Sequence, residues 1–224
     1  MRPFISIYAG IVFAALASGG LATQVLWDEY RSFRQIETTG NAAFLKLHGD
    51  RDLSFSPWAI RTQTAVLEMC NEALIAPISS VVAAEDYADI ATRCRAIAQK
   101  ISEKAPTWGL ARFSEARAAA ALGDTKSAQS ALILSARAAA NEGWIAQKRV
   151  LLALNLPTSP ATEVILTHDL TLLVSTPTTR TWLAQVYTQR PAAQERIISV
   201  VETTSNATQN DFIAQVRRQN TAGG

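Results

Sequence analysis

The stretch 87–101, YADIATRCRAIAQKI, decides the fold. Tyr87, Ile90, Ala91, Cys94, Ile97, Ala98 and Ile101 recur at intervals of three and four, the spacing of one helical face, while Asp89, Arg93, Arg95 and Lys100 fall mostly elsewhere. Glu85-Asp86 and Asp89 load its start with negative charge, which the amino-terminal end of a helix dipole favours. The pattern is an amphipathic helix with one buried and one wet face.

Working outward, the same period recurs on both sides. Upstream, a helix is expected from Pro57, whose fixed φ suits a first turn, with the stripe Trp58, Thr62, Ala65/Val66, Met69/Cys70 and Ala73, and Pro77 as its end. Asp28 to about Leu47 reads as a further helix or stalk interrupted at Gly40, followed by a polar turn at His48–Asp52. Downstream, helices are expected near 107–122, 125–140, 142–154, 160–175, 179–189, 191–203 and 208–219. Gly123-Asp124, Asn141-Glu142-Gly143, Pro157, Pro160, Pro177 and Pro191 punctuate them. β-Branched strand runs are scarce and alanine is abundant. The expected class is all-α, with short connections that favour antiparallel neighbours.

Trp108, Trp144 and Trp182 fall near the starts of successive helix pairs, 36 and 38 residues apart. Gly123-Asp124-Thr125-Lys126-Ser127-Ala128, with Ala131-Leu132, resembles the turn and second helix of the tetratricopeptide repeat, a helix pair of about 34 residues. The resemblance spans 107–190 and is specific only over 123–132. Trp108 lies about four positions too far from Gly123, and the family's closing proline is replaced near Ala140-Asn141. The resemblance implies a degenerate helical array that presents a groove to a protein partner; an irregular helical bundle is the competing architecture. In either, the tryptophans are expected to anchor the core.

At the chain's start, Phe4–Trp27 is apolar and carries no formal charge. Roughly 20 apolar residues cross a bilayer as a helix, so this segment reads as a single transmembrane anchor, with Trp27 and Tyr30 at the interface. A cleaved signal peptide competes, with Arg2, the apolar run Phe4–Leu16 and the small-residue site Ala15-Leu16-Ala17; a buried core helix is the third reading. The very short leading tail places residues 28–224 outside the cytoplasm, although Arg31 and Arg34 leave the charge rule undecided. The expected organisation is an anchor at 1–27, a membrane-proximal stalk at 28–56, the helical array at 57–219 and a flexible tail at 220–224.

Cys70 and Cys94 are the only cysteines, each on the apolar stripe of an adjacent helix. In an oxidising compartment they are candidates for one disulfide; two buried free thiols are the alternative. His48 falls in the polar turn, where exposure is expected. His168 shares the Val164/Ile165/Leu172 face and is expected at a helix contact, with Asp169 pointing about 100° away. Two distant histidines and no CxxC leave no metal or redox motif, and neither a G-x-S-x-G elbow nor a phosphate-binding glycine loop occurs. Asn206-Ala207-Thr208 fits a glycosylation sequon. No catalytic, cofactor or metal-ligating residue and no small-molecule substrate is expected. A net charge of +2 without a basic run argues against nucleic acid.

These readings converge on a non-enzymatic scaffold subunit held by its anchor in a bacterial inner membrane, its main domain periplasmic, binding one or more envelope proteins. The architecture is similar to that of small envelope proteins with tetratricopeptide-like domains, some tied to surface-polysaccharide production or export. An envelope glycan lyase or hydrolase on a helical scaffold is the alternative.

Overall fold

Periodicity of three to four becomes helix among the described residues. The computed structural model describes residues 15–27, 30, 40–49, 60–75 and 83–222, and among them the regular structure is helical, with no strand. The chain divides into two compact units, 1–90 and 91–224.

In the first unit, residues 15–27 are helical and every one of them is exposed, including Leu16, Leu21, Leu26 and Trp27. The rest of the expected span, 4–14, lies outside the described residues. Among those described, no helix is long and apolar enough to cross a membrane. α1 (Gly40–Gly49) packs on α2 (Ile60–Ala73), with Ala43, Phe44 and Leu47 buried on one and Val66, Leu67, Met69 and Cys70 on the other. Gly40, expected to interrupt a helix, instead opens α1 with φ +56°, a conformation glycine adopts without cost. Most of the expected stalk upstream of it, and Pro57, Trp58 and Pro77, lie outside the described residues. The first turns of α3 (Ala84–Lys104) complete this unit. The Tyr87 ring stacks 6.5 Å from that of Phe44, and its hydroxyl donates to the Leu74 carbonyl at 3.0 Å.

The second unit continues α3 and adds α4 (Gly109–Ala121), α5 (Thr125–Ala138), α6 (Gly143–Ala153), α7 (Pro160–Ser175), α8 (Pro177–Gln189), a 3-10 turn (Pro191–Ala193), α9 (Gln194–Val201) and α10 (Asn206–Ala222). Their ends follow local chemistry. Gly123 takes φ +74°, closing the turn after α4 so that Asp124 can cap α5 by accepting from the Ser127 backbone N–H at 3.1 Å. Arg95 of α3 pairs with the other Asp124 oxygen at 3.1 Å, tying α3 to the same turn. Ser159 and Thr162 form a capping box around Pro160 at the start of α7. The segment expected as one helix over 191–203 is a 3-10 turn followed by α9, and the last helix runs to Ala222 rather than 219.

Packing is successive and layered. α4 lies on α5 and α6 on α7, while α4 also touches α6 and α5 touches α7. The approach is closest at Gly109, where an added Cβ would fall 2.3 Å from that of Ala139 and 3.4 Å from Ile145 Cδ1. Phe113, Leu110, Leu132, Ile145 and Leu166 fill the core. Each such fully buried side chain contributes roughly 1.5–3 kcal/mol over exposure.

The tryptophans correct the expectation of core anchors. Trp144 is 45% exposed, and Trp108 and Trp182 are only half-buried. Each instead stands immediately before a buried pair: Gly109-Leu110, Ile145-Ala146 and Leu183-Ala184. At about 100° per residue, that register turns the indoles of Trp144 and Trp182 about 150° from the centre of the buried pair, while Trp108 stands in the extended residue just before its helix. The spacing of 36 and 38 residues therefore marks a recurring helix register, with the tryptophan at its rim.

Candidate functional site

Two helices with matching stripes form a groove. On α5 and its end, Ile133, Ala136, Arg137 and Ala140 recur as i, i+3, i+4 and i+7; on α7, Ala161, Val164, Ile165 and His168 do the same. These residues line an open cavity of about 490 Å³. Val164 is 71% exposed, so the groove has an apolar wall in contact with solvent. Arg137 is exposed, and the His168 side chain is half exposed. Arg137 brings a positive charge and His168 an imidazole, and no carboxylate is among the lining residues.

Beneath it lies a buried ion pair. Arg149 of α6 donates from Nε to Asp169 Oδ2 at 2.7 Å and from Nη2 to Asp169 Oδ1 at 2.6 Å, with both side chains wholly buried. Its remaining nitrogen, Nη1, donates to the Ala139 carbonyl at 3.1 Å, with the Ser135 carbonyl at 3.5 Å. Both carbonyls lie at the end of α5, where the Ser135 oxygen also accepts from the Ala139 backbone N–H at 3.0 Å and the Ala139 oxygen from that of Glu142 at 3.4 Å. The Ser135 hydroxyl in turn donates to the Gly109 carbonyl at 2.8 Å. One guanidinium thus fixes the end of α5 and the middle of α7, the two walls of the groove. His168 Nδ1 sits 3.5 Å from Asp169 Oδ1, a long contact that couples the groove's imidazole to the buried pair.

The arrangement recurs one helix pair later. Arg180 of α8, also buried, donates from Nε to the Val174 carbonyl at 2.7 Å and reaches the Ser175 carbonyl at 3.4 Å, so it covers the end of α7. Its Nη1 pairs with Asp211 of α10. In both cases an arginine closes the preceding helix and pairs with an acid on a later one.

The residues singled out in sequence are dispersed. His48 lies in the last turn of α1, with a half-exposed side chain stacked 6.3 Å from the Phe44 ring and 3.9 Å from Asp86. His168 is corrected from a helix contact to the groove. Asp169 is not a bystander beside it, because it carries the buried partnership with Arg149. Cys70 and Cys94 are both buried, and neither is a free thiol. Asn206 begins α10.

The lining carries no hydroxyl, thiol or carboxylate that could act as a nucleophile or proton acceptor, and His168 alone offers proton-transfer chemistry. Among the described residues no group of three or more histidines, cysteines or carboxylates is placed to hold a metal ion. The geometry suits binding through apolar contact and positive charge. The chain matches no protein-family model, no curated protein and no solved structure.

Proposed function

We propose that this chain is a membrane-tethered helical scaffold that works by holding another protein in the groove between α5 and α7. The observation that carries this reading is the open, apolar-walled groove whose lining holds charge but no nucleophile. Its walls are braced from beneath by Arg149, as a preorganised binding surface requires.

The degenerate tetratricopeptide-like arrangement belongs to the same proposal. Contacts of α4 with α6 and of α5 with α7, the Gly123-Asp124 turn and the repeated arginine device all support stacked helix pairs. The tether is the segment 4–27, supported by the exposure of every residue over 15–27 in a helix rich in leucine and alanine. An apolar helix exposed all round is unstable in water and is stabilised by lipid or by a partner. We place the tether in a bacterial inner membrane and the helical units in the periplasm, where an accessory subunit of an envelope assembly for surface-polysaccharide production or export would act.

Fractionation and co-purification test it together. The full-length protein is expected in washed inner membranes and should be recovered in mild detergent with a stoichiometric protein companion. Recovery from the soluble fraction removes the tether, and recovery alone at native abundance overturns the scaffold.

A further inference from the structure

The groove's shape specifies more than a generic partner. The α7 wall is a two-turn stripe with i, i+3, i+4, i+7 spacing, about 10 Å from Ala161 to His168 at the helical rise; the α5 wall has the same sequence spacing, its last member Ala140 standing just past the helix end. Two facing ridges of that kind leave a trough that accepts a third helix, whose apolar side chains at the same spacing seat between them. The polar part of the lining is the Arg137 guanidinium, which is positive, and the His168 imidazole. Nearby acids are engaged elsewhere: Asp169 with Arg149, and Glu163 with Arg196 of α9. Arg137 stands in the last turn of α5, and no described residue pairs with it. Arg137 therefore has no acid ion-paired to it among the described residues, and no carboxylate is among those lining the groove.

We infer that the α5–α7 groove receives an amphipathic helix of a partner protein, with two turns of apolar side chains against Ala136, Val164 and Ile165 and an acidic residue paired with Arg137 and His168. This rests on the scaffold reading and adds the chemistry of the partner. Apolar contact supplies the affinity, and the Arg137 guanidinium, with the His168 imidazole beside it as a hydrogen-bonding group, selects an acidic helix over a basic one.

The experiment places a photo-crosslinking phenylalanine derivative at Val164 or, separately, at exposed Trp144, in the full-length protein in its native cells, and identifies the crosslinked peptide by mass spectrometry. Capture at Val164 of a segment with apolar residues at i, i+3, i+4 and i+7 and an acid within one turn of them is the expected result. Arg137→Glu should lower that capture at least about fivefold, the scale of one favourable ion pair replaced by a repulsion. His168→Gln should lower it less. Arg137 is exposed and the His168 side chain half exposed, and an unchanged melting temperature verifies that folding is intact. A captured segment that is basic, lipid captured in place of protein, or capture indifferent to both substitutions overturns the inference. Protein capture at Trp144 but not Val164 removes the groove and leaves the scaffold standing. Protein captured at neither site removes both.

Discussion

Arg149 and Asp169 form a two-bonded ion pair, at 2.6 and 2.7 Å, with neither side chain reaching solvent. A buried pair of this kind gains little net stability over a well-packed apolar pair, because both ions are stripped of water. Its value is positional. The same guanidinium covers the end of α5, so the pair sets where the two groove walls stand.

Removing one partner should be far worse than removing both. Arg149→Met leaves Asp169 buried and unpaired, and Asp169→Asn leaves an uncompensated guanidinium; each should cost about 3–5 kcal/mol in urea denaturation. The double variant Arg149→Met/Asp169→Leu should recover most of that loss. Equal destabilisation by single and double variants would show that the carbonyl contacts to α5, rather than charge pairing, dominate.

Gly109 and Gly143 both open helices, yet the same substitution should move stability in opposite directions. At Gly109 a Cβ would meet that of Ala139 at 2.3 Å, so Gly109→Ala should destabilise by about 1–3 kcal/mol through forced separation of α4 from its neighbours. At Gly143 the nearest atom is Thr179 Cγ2 at 3.5 Å, an ordinary contact. Gly143→Ala should be neutral or stabilising by up to about 1 kcal/mol, since alanine is the better helix former. Thermal melts of the two variants beside the parent check this, and a loss at Gly143 matching that at Gly109 would refute it.

The helical class and most helix ends were legible in sequence because they rest on local chemistry. Ser159-Pro160, Gly123-Asp124 and Pro177 act within one turn of themselves. The groove and its support were not legible, because they depend on which stripes meet. A signal was present nonetheless. Arg149 sits within the apolar series Ile145, Ala146, Val150 and Ala153, and Asp169 within Ile165, Leu166, Leu170 and Leu173. A charge embedded in a buried stripe demands a partner, and two opposite charges so placed on successive helices nominate each other. The tryptophans misled for the converse reason. Size suggested burial, while their position just before each stripe turned them outward.

That outward register has a measurable consequence. Trp144→Ala should cost about 1–2 kcal/mol, since just over half of the residue is covered. Phe113→Ala, at a fully buried site, should cost about 3–5 kcal/mol. Denaturation midpoints of the two variants provide the comparison, and a large loss at Trp144 would restore it to the core.

Cys70 and Cys94 carry a proposal from the sequence: a disulfide between them. Neither is a free thiol in the structure. The denatured, unreduced protein should resist alkylation, and reduction should add the mass of two hydrogens and expose two thiols. Quantitative alkylation without reductant would rule the bond out.

Asp124 links helix capping to acid stability. The Ser127 hydroxyl and backbone N–H, together with Arg95, stabilise its carboxylate and hold its pKa below the ordinary aspartate value of 3.8; partial desolvation opposes them. A carboxylate with a depressed folded pKa contributes stability that is fully present above its unfolded value and lost as pH falls through the folded one. Asp124→Asn keeps a good capping residue but removes the charge. The melting temperature of the parent should exceed that of Asp124→Asn near neutral pH. The gap should begin to close at about pH 4 and vanish below the folded pKa. Asp124→Ala, which loses the cap as well, should remain below both across the whole range, since the Ser127 N–H is then unmet at any pH. A gap between parent and Asp124→Asn that persists undiminished into strong acid would show that the Arg95–Asp124 charge interaction does not contribute to folding.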